Sequence, residues 1–305
     1  MDTLSLLLSR FSVSAGVFYT GRICGVHAFP DDAARGHLHL IEQGPVDLID
    51  SHGHSRRIAL PTLLFLPRPE RHRLVADESA GAQVLCATVQ FGGGNNNNPV
   101  SDSLPELVAV ELGKLEGAAS LLALVAQEAF GGEPGAQTAV DRLCELLIIR
   151  LLRYCLQQGL TTGGTLAGLS DARLAKALAA LHREPARPWE LEDMAAEAGM
   201  SRARFAARFR EVTGQTPVHY LAAWRIALAQ NLLKSGRPMK QVSVEAGYGS
   251  SSAFTRAFIR QVGLPPTQWL RKIEAAADAK PPADGGGRVV GAGARAKAPA
   301  APSMH

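Results

Sequence analysis

The stretch Gly214–Leu233, GQTPVHYLAAWRIALAQNLL, decides the fold through what flanks it. Before it runs LEDMAAEAGMSRARFAARFREVTG, residues 191–214, and after it MKQVSVEAGYGSSSAFTRAFIRQVGLPPTQW, residues 239–269. The flanks share one plan: a short helix, a turn carrying Gly199 or Gly247, a serine start, then two phenylalanines four apart. Ser201 and Ser250 stand at N-cap positions, where a hydroxyl accepts a free amide of the first turn. Phe205 and Phe209 share one helical face and anchor it to a core, as do Phe254 and Phe258. Ala195 and Ser243 leave room for a close helix crossing, and Gly199 and Gly247 suit a turn with positive φ. Each unit ends on helix stops: Gly214 with Pro217, then Gly263 with Pro265 and Pro266. Two copies of this plan, about 49 residues apart, predict two helix-turn-helix units joined by one long helix, which points to DNA.

These residues resemble the AraC/XylS family of bacterial transcription regulators, most closely over 180–273, and PTQW at 266–269 is similar to the family's terminal signature. The resemblance implies a seven-helix DNA-binding domain whose two recognition helices enter successive major grooves, about 34 Å apart. It also implies an activator, with double-stranded DNA and RNA polymerase as partners. Charge supports the DNA reading independently. Residues 180–275 carry 14 Lys and Arg against 8 Asp and Glu, whereas residues 1–115 carry 9 against 12. A basic domain attracts phosphates, and its affinity falls with salt.

With Phe205 as the core direction, Ala203, Ala207 and Arg210 point outward at 100° per residue, with Arg204 and Ala206 at the edges. An alanine can touch a thymine methyl but cannot hydrogen-bond a base. Polar contacts from this helix fall to Arg202 or Arg204, while Arg208 lies nearer the core, suited to a phosphate or an intramolecular partner. The second helix turns Ser252, Thr255, Arg256 and Ile259 outward, and Arg256 takes the central place that Ala207 holds in the first. The candidate DNA-binding residues are therefore Ser201, Arg202, Arg204, Ala206, Ala207, Arg208, Ser251, Ser252, Thr255 and Arg256.

At 305 residues the chain is long enough for two cores, and the expected fold class is α+β multidomain. The expected domains are a sensor over 1–110, linker and dimerisation helices over 111–160, an interdomain linker over 161–175, the DNA-binding domain over 176–274 and a disordered tail over 275–305. HLHLI (37–41), VDLID (46–50), RRIAL (56–60), TLLFL (62–66) and QVLCATVQF (83–91) read as short strands of a small barrel or sandwich. GGGNNNNP (92–99) reads as a mobile loop. GAASLLALVAQEAF (117–130) and AVDRLCELLIIRLLRYCLQQG (139–159) read as helices, the second packing on the barrel and on a second subunit of a homodimer. No segment reaches the ~18 apolar residues that span a bilayer. The start, MDTLSLLLSRF, carries an acid where a secretory signal wants bases. Four cysteines do not suggest a disulfide scaffold, so a cytoplasmic protein with reduced thiols is expected.

LHLIEQG (38–44), LPRPERHRL (66–74) and the opening MDTLSLLL…GVFYTGRICG resemble the cupin-type sensor half of one branch of the same family. Within that branch the pattern is most similar to redox-responsive regulators of reactive-chlorine defence, whose two sensing cysteines fall by position on Cys24 and Cys86. Reactive sulfur needs exposure and nearby positive charge, which Arg22, His39 or His72 supplies. The residue-level alternative is that both cysteines are buried and merely pack. Cys144 and Cys155, eleven apart on a helix, read as core or interface packing. Cys24, His39, His72 and Cys86 would together make an S₂N₂ set suited to zinc. His37 shares a strand face with His39, and His52 and His54 read as a solvated hairpin turn. A third possibility is a small organic ligand filling the barrel. Catalysis is not expected: an iron oxygenase needs two histidines and a carboxylate, and Glu42, three residues after His39, falls on the opposite strand face. PRPERH also lacks the glycine that cupin enzymes usually carry before this histidine.

Overall fold

Eleven helices and nine strands form in the computed structural model, which describes residues 2–30, 35–92 and 98–278. The expected disordered tail lies almost wholly outside the described residues, as does most of the Gly/Asn loop. The end of that loop is well tied: Asn98 is buried, donates to the Gly92 carbonyl at 2.8 Å and accepts from the Val100 amide at 3.0 Å.

The N-terminal half opens with α1 (Thr3–Arg10), capped by Asp2. Nine strands follow: β1 (Val13–Ile23), β2 (Gly25–Phe29), β3 (Gly36–Gln43), β4 (Val46–Ile49), β5 (Ser55–Ile58), β6 (Thr62–Leu66), β7 (His72–Ala76), β8 (Ala82–Phe91) and β9 (Val108–Glu111). They make two antiparallel sheets, ordered β1-β8-β3-β6-β9 and β2-β7-β4-β5. The expected barrel is thus an unclosed pair of cupin-like sheets. The chain crosses from one sheet to the other between β1 and β2, at Cys24, where Gly25 takes φ +70°.

The five-stranded sheet is covered on both faces, which explains its unbroken apolar runs. Along HLHLI, Leu38 and Leu40 join the core beneath the helices, while Ile41 joins the core between the sheets. The period of two puts His37 and His39 on the Ile41 side. α2 (Ala118–Gly131) and α3 (Ala136–Gln158) cover the other side, and Cys144 and Cys155 are buried there as expected. One face of α3 also closes an open sheet edge. Gln137 donates to the Val17 carbonyl at 2.9 Å and Asp141 accepts from the Val17 amide at 2.8 Å, pairing the free edge of β1.

The stretch 161–175, expected as a linker, holds α4 (Gly164–Ser170), with Thr165 and Leu166 buried. Seven helices follow: α5 (Leu174–Arg183), α6 (Leu191–Glu197), α7 (Arg202–Thr213), α8 (Pro217–Lys234), α9 (Met239–Glu245), α10 (Ser251–Val262) and α11 (Pro266–Asp278). The two halves share apolar packing. Phe11 of the N-terminal half meets the Trp224 ring edge-on at 5.0 Å, and the Asn231 amide donates to the Arg10 carbonyl.

Candidate nucleic-acid interface and sensor site

The turns of the two helix-turn-helix units repeat bond for bond. In each turn a backbone amide reaches back five residues, Met200 to the Ala195 carbonyl and Tyr248 to the Ser243 carbonyl, both at 2.9 Å. Gly199 and Gly247 sit in these turns with φ +62° and +79°, where a side chain is strained. α7 and α10 each span 12 residues and end on left-handed Gly214 and Gly263. The caps differ. Ser250 accepts from the Ala253 amide at 3.2 Å, but the Ser201 hydroxyl makes no cap bond, so only its extended backbone marks the helix start.

α8 joins the units by packing into two cores. Its Tyr220, Leu221, Trp224 and Ala227 lie with Phe205 and Phe209, whereas Ile226, Ala229 and Leu233 lie with Phe254, Phe258 and Trp269. Trp269 of PTQW meets Phe258 edge-on at 5.5 Å. Arg225 was missed in the sequence. Its guanidinium donates to the Pro185 and Arg187 carbonyls at 2.7 and 2.9 Å and lies 5.9 Å from the centre of the Tyr248 ring. A lone arginine inside the apolar run of α8 was the available signal.

The phenylalanines point inward, so the opposite faces are exposed. Ser201, Arg202, Arg204, Ala207 and Arg208 are exposed on the first unit, with Ala206 half-buried. Ser251, Ser252 and Arg256 are exposed on the second, with Thr255 half-buried. The arginines are not equivalent. Arg208 is held within the protein by Asp171 at 2.9 Å and Glu211 at 3.0 Å, which raise its pKa. Arg202 pairs with Glu192 at 2.7 Å across open solvent, a pair worth little in water and easily exchanged for phosphate.

The histidines of the cupin-like half converge. His39 and His72, both buried, bring their Nε2 atoms within 2.7 Å. His72 Nδ1 donates to the Glu70 carbonyl at 3.0 Å. Both rings are neutral: burial holds His39 well below the ordinary 6.5 and takes His72 down to about 4. A neutral ring carries one proton. With that proton on His72 Nδ1, the His72 Nε2 is the acceptor and the His39 Nε2 is the donor. His39 Nδ1 is then a bare acceptor, and it has no partner. Phe29 stacks on His72 at 4.9 Å and the His37 ring lies 5.0 Å from it.

The expected four-residue zinc set does not assemble. Cys86 is opposite His39 in the β3–β8 ladder, inside the sandwich, but Cys24 is exposed at the corner between the sheets. Tetrahedral ligands at ~2.0–2.1 Å from zinc lie roughly 3.3 Å apart, so two nitrogens at 2.7 Å hold a proton instead. Among the described residues no three His, Cys, Asp or Glu side chains are placed to hold a metal ion.

The two cysteines are also apart. Cys86 faces Tyr19 in the ladder, whereas Cys24 follows Ile23, which faces Ala82. Five strand steps separate them, on the order of 15 Å, beyond the ~4.4–6.8 Å between Cα atoms that a disulfide needs. Both thiols are free, and burial pushes the Cys86 thiol up to about 12. Cys24 Sγ and Arg22 Nε crowd the same point above Gly81, 2.8 and 2.6 Å from where a Cβ would sit.

A cupin family model matches residues 2–157, and a helix-turn-helix domain model matches residues 194–272. A putative AraC-like transcription regulator of Streptomyces antibioticus is 38% identical over 301 residues, covering 88% of this chain and 97% of that protein. The chain belongs to the AraC-like transcription regulators. Members of this family are DNA-binding regulators, not enzymes. The RCS-specific HTH-type transcriptional activator RclR of Escherichia coli (strain K12) is 26% identical, over 77% of this chain and 84% of that one. A solved structure of the DNA-binding domain of AdpA in complex with a target DNA is 30% identical, covers 36% of this chain and 99% of that one, and has a TM-score of 0.34. Among the described residues of this AraC-like regulator, no helix is long and apolar enough to cross a membrane.

Proposed function

We propose that this AraC-like regulator is a homodimeric, cytoplasmic activator that lays α7 and α10 into successive major grooves of one operator, engages RNA polymerase, and takes oxidants as its signal. The observation that carries the DNA reading is the bond-for-bond repeat of two turns, each presenting an exposed helix start away from a buried phenylalanine pair. Arg204 and Arg256 form no ion pair among the described residues, which leaves both for DNA. Arg256 fits a guanine contact by its central place. Arg202 and Ser201 suit phosphates, as do Ser251 and Ser252.

The oxidant reading rests on the accessible Cys24 with Arg22 beside it, and on the relative named for reactive chlorine species. Hypochlorous acid transfers its chlorine to the Cys24 sulfur, and its oxygen takes the thiol proton and leaves as water. The Cys86 thiol then attacks that sulfur, expels chloride, loses its proton and closes a disulfide. The second step requires the β1–β2 corner to leave its ladder position. That movement has a route to DNA: β1 continues back to Arg10 and Phe11, which contact Asn231 and Trp224 of α8. The test is non-reducing peptide mapping of the full chain across a hypochlorous acid titration. Oxidation of Cys24 near stoichiometry, followed by a Cys24–Cys86 crosslink, is expected. Two reduced thiols beside oxidised methionines would overturn it.

A second reading is favoured by the unpartnered His39 Nδ1. In it, a small organic molecule bearing an N–H or O–H donor enters between the sheets, and the cysteines only pack. Oxidant-insensitive DNA binding, together with a His39→Leu variant that no longer responds to inducer, would establish this reading instead.

A further inference from the structure

α4 begins without a cap of its own. Its N-cap is Gly163, which has no side chain, and a first helical turn leaves backbone amides that need acceptors. The acceptor comes from the cupin-like half. The Leu166 amide, third in the helix, donates to Ser103 Oγ at 3.1 Å, and the Thr162 amide donates to the Ser103 carbonyl at 3.0 Å. The same hydroxyl donates to the Pro99 carbonyl at 2.6 Å. Ser103 and Leu166 are both fully buried, so loss of the hydroxyl leaves that amide unpaired away from water. The fit is close: a Cβ on Gly164 would lie 2.7 Å from Ser103 Oγ.

The turn that presents Ser103 is held from the sheets. Arg68, in the segment between β6 and β7, donates to the Ser101 and Leu104 carbonyls on either side of it, at 2.7 and 2.9 Å. That segment runs on through Glu70, whose carbonyl takes the His72 Nδ1 proton, into the buried histidine pair. At its other end α4 bears on α7. Asp171, the C-cap of α4, accepts from Arg208 Nε at 2.9 Å. Thr213, the last residue of α7, is buried, and a Cβ on Gly168 would lie 3.3 Å from its methyl. Leu166 lies in one apolar core with Phe205 and Phe209. α10 is held differently: the core around Phe254, Phe258 and Trp269 contains no described residue before Ile226.

We infer that Arg68 and Ser103 are positioning residues for DNA recognition. Through α4 they set the seat of α7, so the cupin-like half governs the operator half that α7 reads and leaves the half that α10 reads to the second unit. This rests on the proposed placement of α7 and α10 in successive grooves. A state of the sheets that holds the Ser103 turn differently then changes affinity for one half-site rather than for the whole operator.

The test is a protein–operator cycle with the full chain. Unmodified protein, Arg68→Met, Arg68→Lys and Ser103→Ala are titrated on an operator selected in vitro from random DNA, and on versions with either half scrambled. The halves are assigned by Arg204→Ala and Arg256→Ala, each expected to lose base preference in a different half. Arg68→Met and Ser103→Ala should each bind the intact operator on the order of threefold to thirtyfold more weakly. The loss should persist with the α10 half scrambled and vanish with the α7 half scrambled. Arg68→Lys, which keeps a cation near the two carbonyls, should recover part of it. A chain that is merely destabilised loses affinity equally on all three sites, and that result overturns the inference, as does unchanged affinity for the intact operator. If Arg204→Ala and Arg256→Ala map to no separate halves, the groove placement itself fails and the inference falls with it.

Discussion

Arg256 and the histidines between the sheets show how far one residue can be read. Arg256 stands free because its neighbours are serine, threonine and alanine, and nothing acidic lies within an ion-pair distance among the described residues. The histidines were legible as one strand face, but their protonation was not. It depends on the Glu70 carbonyl two residues before His72, which only the fold brings to Nδ1. The sign of their pH effect follows. His39 lies well below 6.5, His72 is at about 4 and His182 is at about 3, all through burial first. An unfolded histidine takes a proton near 6.5, and these folded ones do not. Their contribution is therefore fully present above pH 6.5 and is lost as pH falls from 6.5 through about 4 to 3. Urea unfolding at pH 7 and pH 5 should differ by several kcal/mol, about 2 kcal/mol per histidine. Equal midpoints at the two pH values would refute the neutral assignment.

At the scale of elements, the paired turns look alike in sequence but differ in surroundings. A Cβ on Gly199 would meet open space, whereas one on Gly247 would lie 2.7 Å from Ala186 Cα and 2.9 Å from the Pro185 carbonyl. Both positions carry the cost of positive φ, about 1 kcal/mol. Gly247→Ala adds a backbone clash and should destabilise by at least 1–2 kcal/mol more than Gly199→Ala in chemical denaturation. Similar losses would mean that the 184–187 segment does not press on the second turn. The same contrast explains what the sequence could convey. Helix periodicity, glycine stops and the phenylalanine pairs gave both units and α8, because these signals are local. The five apolar strands were legible for the same reason. β1, β2, β7 and β9 were not singled out, and the linker hid α4, because their apolar positions acquire meaning only against distant partners. The Cys24–Cys86 separation depends on register across two sheets, which no local pattern contains.

Across the whole molecule, α1 and α8 join the pair of cupin-like sheets to the two helix-turn-helix units. Phe11, Trp224 and Asn231 form the direct contact. The basic balance of residues 180–275 implies that affinity for any duplex falls steeply with salt, while discrimination among sequences rests on a few groove-facing side chains. The most direct test is therefore operator affinity of Arg256→Ala beside the unmodified chain, on a site selected in vitro from random DNA and titrated at two salt concentrations. The prediction is a loss of about 1–3 kcal/mol, with relaxed preference at one base pair and little change in the salt slope. Unchanged affinity and unchanged base preference would contradict the placement of α10 in the major groove.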